Sequence, residues 1–184
     1  MAKVIAGMTM SLDGFIADKK GDIYQLYPDL HTLRDTPLMQ EYIKEAGAVL
    51  MGKRTFELGD PDEYVGNYEF QVPIFVLTHH IPDIAPKQDE HLTFTFVIDG
   101  VISAIEQAKA AAGEKVVQVV GGVSLVQQLF EAGLVDEFHV DIMPIFLGEG
   151  RRFFESPVFM NLKLEKIDVR EVGDRTNLRF RVIK

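Results

Sequence analysis

Two glycine-led turns share one layout, and both suit an anionic ligand. Gly121-Gly122-Val123-Ser124-Leu125 follows the apolar run 116–120 and opens a helical pattern. Two glycines there let the backbone approach a ligand closely, and the helix start offers unpaired N–H groups to a pyrophosphate. A tight strand-to-helix turn needing glycine only for its dihedrals would look the same. Gly52-Lys53-Arg54-Thr55 repeats the layout after residues 48–51, adding two cations and a hydroxyl. Thr55 can cap a helix or bond a phosphate oxygen, and Lys53 and Arg54 supply charge. A capped helix with two solvated bases is the plainer reading. Neither stretch is a Gly-x-Gly-x-x-Gly fingerprint, and the chain holds no Walker sequence.

Thr78-His79-His80 closes the apolar run Ile74–Leu77. Adjacent residues of an extended chain point to opposite faces, and no third ligand stands at metal-site spacing. No metal is expected; Thr78 with one histidine suits a ribose or phosphate contact. Two carboxylates stand out, Asp13 as a candidate acid and Asp29 as a partly buried carboxylate. Asp13, in Asp13-Gly14, also suits a turn, and Asp29, before Leu30, also suits a helix cap. Gly148-Glu149-Gly150-Arg151-Arg152 joins glycine flexibility to two arginines. It suits an anchor for an anionic substrate group, or a solvated hairpin tip.

The composition excludes several classes. A net charge of -9 lacks the basic footprint of a nucleic-acid binder. Zero cysteines exclude disulfides, a thiolate nucleophile and Cys-ligated metal. The amino terminus has no signal-peptide apolar region, and no apolar run reaches membrane-spanning length. The expectation is a cytoplasmic protein with no membrane partner. At 184 residues, with no composition break, one domain over 1–184 is expected.

The elements that must position these residues alternate. Residues 3–10, 48–51, Ile74–Leu77, 92–97 and 116–120 read as strands. Residues 37–46 read as a helix, with Asp35 or Thr36 as N-cap, Pro37 in its first turn and Gly47 just past its end. Residues 59–72 read as a surface loop. Val101–Ala112 is a helix capped by Asp99 and ended by Gly113, and 124–132 is a second one closed by Gly133. Residues 138–143, 162–169 and 177–183 read as strands. The last two alternate polar and apolar, as in an antiparallel pair with one wet face. Strand–helix alternation followed by strands alone predicts an α/β fold with a mostly parallel sheet and antiparallel strands at one edge.

Five motifs in this order, from Ser11-Leu12-Asp13-Gly14 through Gly52-x-Arg54-Thr55-Phe56-Glu57, Thr78-His79-His80 and Gly121-Gly122 to the 144–150 segment, resemble the dihydrofolate-reductase-like superfamily. The first and last look like its riboflavin-biosynthesis reductase branch, the C-terminal domain of bifunctional deaminase-reductases and its stand-alone relatives. The resemblance implies a three-layer α/β/α fold with a central sheet of about eight strands, NADPH as hydride donor, and a homodimer. It places Ala6, Ile16 and Ala17 at the nicotinamide. Gly52, Lys53, Arg54 and Thr55 fall at the pyrophosphate, and Thr78 and His79 at the 2′-phosphate. Gly121 and Gly122, joined by a cis peptide in the family, pass under the pyrophosphate, with Val123, Ser124 and Leu125 at the helix start.

Arg151 and Arg152 are then candidates for a substrate phosphate, and Asp29 and Asp13 for proton transfer. The implied reaction is hydride transfer to a ribosylaminopyrimidine phosphate. Reduction of a pterin-like or other small heterocycle, and a non-catalytic nucleotide-binding module, are the alternatives. Two features depart from the pattern. His79 stands where an arginine often follows the hydroxyl residue, and a histidine of ordinary pKa is mostly neutral at pH 7. The chain also has no tryptophan; Tyr24 lies near the place where the folate enzymes carry one. No deaminase domain is expected, because the chain starts at the reductase's first strand.

Overall fold

The computed structural model describes residues 2–83 and 85–184. Met1 and Ile84 lie outside them. The strands are β1 (Val4–Ser11), β2 (Phe15–Ala17), β3 (Ala46–Gly52), β4 (Ile74–Leu77), β5 (Phe94–Val97), β6 (Val116–Val119), β7 (Glu137–Met143), β8 (Arg151–Arg152), β9 (Lys163–Val172) and β10 (Arg175–Ile183). The helices are α1 (Leu30–Leu33), α2 (Pro37–Glu45), α3 (Lys53–Phe56), α4 (Tyr64–Asn67), α5 (Val101–Ala112) and α6 (Val123–Glu131).

Eight strands form one sheet in the order β5-β4-β3-β6-β1-β7-β10-β9, and β2 pairs with β8 apart from it. The six strands from β5 to β7 run parallel; β10 is antiparallel to β7, and β9 to β10. The chain starts in the middle at β1, builds outward to β5, then returns to place β6 and β7 on either side of β1. Such a reversal opens a crevice at the carboxyl ends of the strands.

Both sheet faces are covered, which is why the parallel strands are apolar throughout. On one face α5 and α6 bury Ala104, Ile105, Ala108, Val126, Leu129 and Phe130 against Ala6, Leu50, Val117 and Val119. On the other, α2 covers Val49, Met51, Ile74 and Val76, with Phe56, Phe70 and Leu92 alongside.

Thr36 caps α2 as expected, accepting from the Met39 amide at 3.3 Å, with Pro37 in the first turn. Gly47 does not end that helix. It lies inside β3, because α2 runs straight into the strand, and a Cβ there would stand 2.7 Å from the Ala112 carbonyl. Asp99 is not the cap of α5 either. Gly100, at φ 104°, takes that position and no side chain caps the helix. The 59–72 loop holds one short helical turn, α4.

The largest departure concerns β10. Its period of two is as read, but the faces are reversed: Arg175, Asn177 and Arg179 are buried beneath the α1–α2 side, while Leu178, Phe180 and Val182 are half-exposed. The buried polar residues largely satisfy one another, as buried groups tend to; of their side-chain atoms Arg179 Nη2 is buried without a hydrogen-bond partner among the described residues. Asn177 donates to Asp141 at 2.7 Å and to the Tyr42 hydroxyl at 3.3 Å, and Tyr42 is hydrogen-bonded to His139 at 2.9 Å. Arg179 donates to Glu41 at 2.7 Å, and Arg170 also binds that carboxylate.

Burial pushes the His139 imidazole down to about 4, the Arg179 charge adds to this, and Glu137 opposes it. The 3.2 Å His139–Glu137 contact is therefore a hydrogen bond of a neutral ring. The unfolded chain takes a proton on this histidine near its ordinary pKa of about 6.5, and the folded chain only near 4. The fold therefore loses stability as pH falls through that window, by up to about 3 kcal/mol. Urea unfolding at pH 7 and pH 4.5 should show the loss, and His139→Asn should flatten it; an unchanged slope in that variant would refute the assignment.

Candidate functional site

The two glycine-led turns meet. β3 and β6 are neighbours, so Gly52 and Gly121-Gly122 leave adjacent strands at the same edge. The Gly52 amide donates to the Gly121 carbonyl at 2.8 Å. The Gly121–Gly122 peptide is cis, and Gly121 has φ 110°, a conformation that side-chain-bearing residues rarely adopt. The approach is close. A Cβ on Gly52 would stand 3.3 Å from the Gly122 nitrogen, and one on Gly121 3.4 Å from the Thr55 hydroxyl.

Gly122 is the N-cap residue of α6, and no side chain caps that helix. The first-turn amides of Val123, Ser124 and Leu125 therefore have no capping oxygen, which leaves a dipole end able to receive an anion. Thr55 stands beside this turn. Lys53 and Arg54 are exposed, and Lys53 lies 3.5 Å from Glu57.

Thr78 follows β4, the next strand outward. Its hydroxyl is already engaged, donating to the His80 carbonyl at 2.8 Å and accepting from the His80 amide at 3.2 Å. His79 and His80 are exposed. Among the described residues no group of three or more His, Cys, Asp or Glu is placed to hold a metal ion, and no helix is long and apolar enough to cross a membrane. Ala6 is fully buried, within the core cluster that α5 and α6 cover. Ile16 packs against the same core, and Ala17 is buried on β2.

Asp13 and Asp29 are not brought together. Asp13 fastens two loops. It accepts from Ser11 Oγ at 2.5 Å, from the Leu147 amide at 3.2 Å and from the Gly148 amide at 2.8 Å. The Leu12 amide donates to the Ile145 carbonyl at 2.9 Å, and Arg152 donates to the Asp13 carbonyl at 3.2 Å. The Arg152 guanidinium also lies 4.2 Å over the Phe15 ring. The 148–152 stretch is thus no free hairpin tip: β8 pairs with β2, and only Arg151 of the two arginines is left without a hydrogen-bonded partner among the described residues.

The Ser11 hydroxyl and the two amides hold the Asp13 carboxyl below the usual carboxylate range. A carboxylate so held gives up no proton near neutral pH. Its contribution to the staple is present above the unfolded pKa of about 3.9 and is lost as pH falls through the lower folded value. In Asp13→Asn, the Leu147 and Gly148 amides should lose hydrogen-exchange protection at neutral pH, and unchanged protection would rule the staple out.

Asp29 has a different set of partners, on β10. It is the N-cap residue of α1, yet its side chain caps nothing. Both oxygens instead take Arg175, Oδ2 from Nε at 2.7 Å and Oδ1 from Nη2 at 2.5 Å. Asp29, Thr32, Thr36, Met143 and Asp174 line a hollow of ≈ 190 Å³ at the carboxyl end of β7. A second hollow of ≈ 240 Å³, on the far side of α1, is bounded by Ile23, Tyr24, Leu30 and Leu58, all but Ile23 exposed. Sequence reasoning missed Arg175, Asp141 and the Tyr24–Leu30–Leu58 wall. The alternation of Arg175, Asn177 and Arg179 is the available signal; the sequence reading starts the strand at residue 177, two residues late, and gives the pair one wet face.

Comparisons with known proteins bear on the family and the fold. The chain is 25% identical over 182 residues to the uncharacterized protein YyaP of Bacillus subtilis (strain 168), covering 95% of this chain and 88% of that one. A provisionally named riboflavin biosynthesis protein of Shewanella sp. PV-4 shares the fold at TM-score 0.73 and 22% identity, over 100% of both chains. Dihydrofolate reductase from Enterococcus faecalis, solved with NADP(H) and RAB-propyl, does so at TM-score 0.61 and 17% identity, over 99% and 97%. The profile of the RibD C-terminal domain matches residues 2–178, and the chain belongs to that family, with the dihydrofolate-reductase-like fold.

Proposed function

We propose that the protein is an NADPH-dependent reductase acting on a ribosylaminopyrimidine phosphate, as in riboflavin synthesis. One observation carries the reading. Two glycine-led turns converge at Gly52 and Gly121-Gly122, beside the uncapped start of α6, at the carboxyl ends of neighbouring parallel strands. The cradle fits a pyrophosphate: a Cβ on Gly121 would crowd Thr55, so the space beside it is kept by glycine. When bound, the cofactor supplies the hydride. Gly52, Thr55, Gly121, Gly122 and the amides of Val123, Ser124 and Leu125 would hold its pyrophosphate. Lys53 and Arg54 would add charge, and His79 with Thr78 would meet the adenosine end. Ala6, Ile16 and Ala17 would wall the nicotinamide.

The protein's own contribution is positioning and exclusion of water. Asp13, with its oxygens committed, would shape the substrate wall and not donate a proton. Asp29 would stay charged, so the proton would come from water. Arg151, without a hydrogen-bonded partner among the described residues, would meet a substrate phosphate, with Arg152 fixing its strand. Asp29 on the rim of a hollow supports a second acceptor within the same chemistry, a pterin-like or related small heterocycle docked on that carboxylate. The half-exposed Leu178, Phe180 and Val182 support a homodimer.

Titration followed by nicotinamide emission tests the reading. NADPH should bind in the micromolar range and at least about tenfold tighter than NADH. Gly121→Ala should weaken NADPH by about tenfold or more, since its φ of 110° is costly for alanine. Absence of binding by either cofactor would refute the reductase, and tight binding without hydride transfer to any acceptor would leave a nucleotide-binding module.

A further inference from the structure

The buried guanidinium of Arg175 has every donor committed. Besides Asp29, it reaches Thr9 Oγ1 at 3.4 Å, Asp141 at 3.5 Å and the Leu26 carbonyl at 3.3 Å, and its plane lies 5.1 Å from the Tyr27 ring centre. Its side chain is 0% exposed, against 29% for Asp29. An aspartate at a helix N-cap ordinarily accepts from the first amides of its own helix. Asp29 forgoes them and turns to β10 instead. The pair therefore ties the α1 wall of the cleft to the sheet, and the free lone pairs at the hollow belong to the carboxylate, not to the arginine.

We propose that Arg175 is a positioning residue for the acceptor: clamped on Asp29 at two points and backed by Asp141 on β7, it fixes the Asp29 carboxylate toward the hollow as a hydrogen-bond acceptor for the substrate ring. This rests on the reductase reading above. β6, β1 and β7 are consecutive neighbours, so Met143, where β7 ends at the hollow, lies two strand spacings, about 10 Å across the sheet, from β6, and the rest of the hollow's sheet side lies farther out, at the β9–β10 turn. That separation suits one ring system held at Asp29 and a donor held at Gly121-Gly122. The charged and titratable groups around Asp29 are Arg175 from β10, Asp141 from β7, Asp174 from the β9–β10 turn and Tyr27 from its own segment; α1 and α2 add only the hydroxyls of Thr32 and Thr36. The guanidinium holds the Asp29 carboxyl below the usual range, while burial pushes Asp141 up. The subsite is thus anionic, and a substrate phosphate must lie elsewhere.

The test uses full-length Asp29→Asn, Arg175→Lys and the double variant. Lysine keeps the charge and the fold but cannot make the two-point clamp. NADPH affinity should stay within about twofold, because the glycine pair is untouched. kcat/KM for the ribosylaminopyrimidine phosphate, or for a pterin if that is the better acceptor, should fall about 100-fold in each single variant, and no further in the double. Arg175→Lys at wild-type kcat/KM, or additive losses, would overturn the proposal. A carboxyl ¹³C titration of aspartate-labelled protein needs no turnover. Asp29 should titrate below the free aspartate value in the wild type and move upward in Arg175→Met. An unmoved resonance overturns the clamp even where no acceptor is reduced, whereas NADPH binding without turnover overturns only the reductase reading.

Discussion

Replacing Arg175 with methionine is expected to destabilise the fold by about 3–5 kcal/mol, the largest loss among single side-chain truncations on the polar face. The guanidinium is fully buried and sits between two carboxylates, Asp29 and Asp141. Its removal leaves Asp141, largely buried, and Asp29, at the rim of the hollow, without their shared cation, and the Leu26 carbonyl and Thr9 hydroxyl each lose a donor. Breaking one side of a buried pair costs more than the pair itself contributes, because an uncompensated charge remains.

The loss should depend on pH in a definite direction. In the variant the two acids no longer have a cation, so the pKa of one rises and it takes a proton as pH falls from 7 towards 5. The gap to wild type should therefore narrow on acidification. Asp29→Asn should cost less, since Arg175 keeps Asp141 and the neutral acceptors. Urea unfolding at pH 7 and pH 5 measures both effects. A loss below about 1 kcal/mol, the level of an exposed ion pair, would show that the pair is solvated.

The same residues explain where sequence reasoning succeeded and where it failed. β1, β3, β4 and β6 could be read because strands buried on both faces are apolar at nearly every position, and the glycines after β3 and β6 mark the turns. The pairing of those turns could be inferred only through the order of motifs, since Gly52 and Gly121 are far apart in the chain. β10 was the hard case. A run that alternates arginine and asparagine with leucine, phenylalanine and valine gives the period, but not which face is wet. Here α2 supplies Glu41 and Tyr42, and β7 supplies His139 and Asp141, so the polar face finds partners and is buried. Partners so distant in sequence leave no local signal. Asp29 illustrates the same limit: as a residue it suits a cap, a proton donor or an ion pair, and only the strand on which Arg175 stands decides among them.

Gly150→Ala is expected to cost about 3 kcal/mol, from strain and overpacking together, and to unfasten the loop that carries Arg151. A Cβ at Gly150 would lie 2.1 Å from the Ala17 carbonyl oxygen and 3.0 Å from Asp18 backbone atoms, and its φ is 140°. The obstacle is backbone on both sides, so no side-chain rotation relieves it. β8 would have to move off β2, which would also pull Leu147 and Gly148 from the Asp13 carboxylate. For a domain of this size the loss corresponds to a Tm lower by roughly 6–12 °C. Gly148→Ala is the control: its φ of 72° is also left-handed, but a Cβ there would meet nothing within 4 Å, so it should show the strain without the clash. Equal shifts in Tm for the two variants would mean that the flap yields freely, and the close packing of residues 148–152 on β2 would then be no constraint on the cleft. A much larger shift for Gly150→Ala, with acceptor turnover falling while NADPH affinity holds, would place the stapled loops on the substrate side of the site and the glycine pair on the cofactor side.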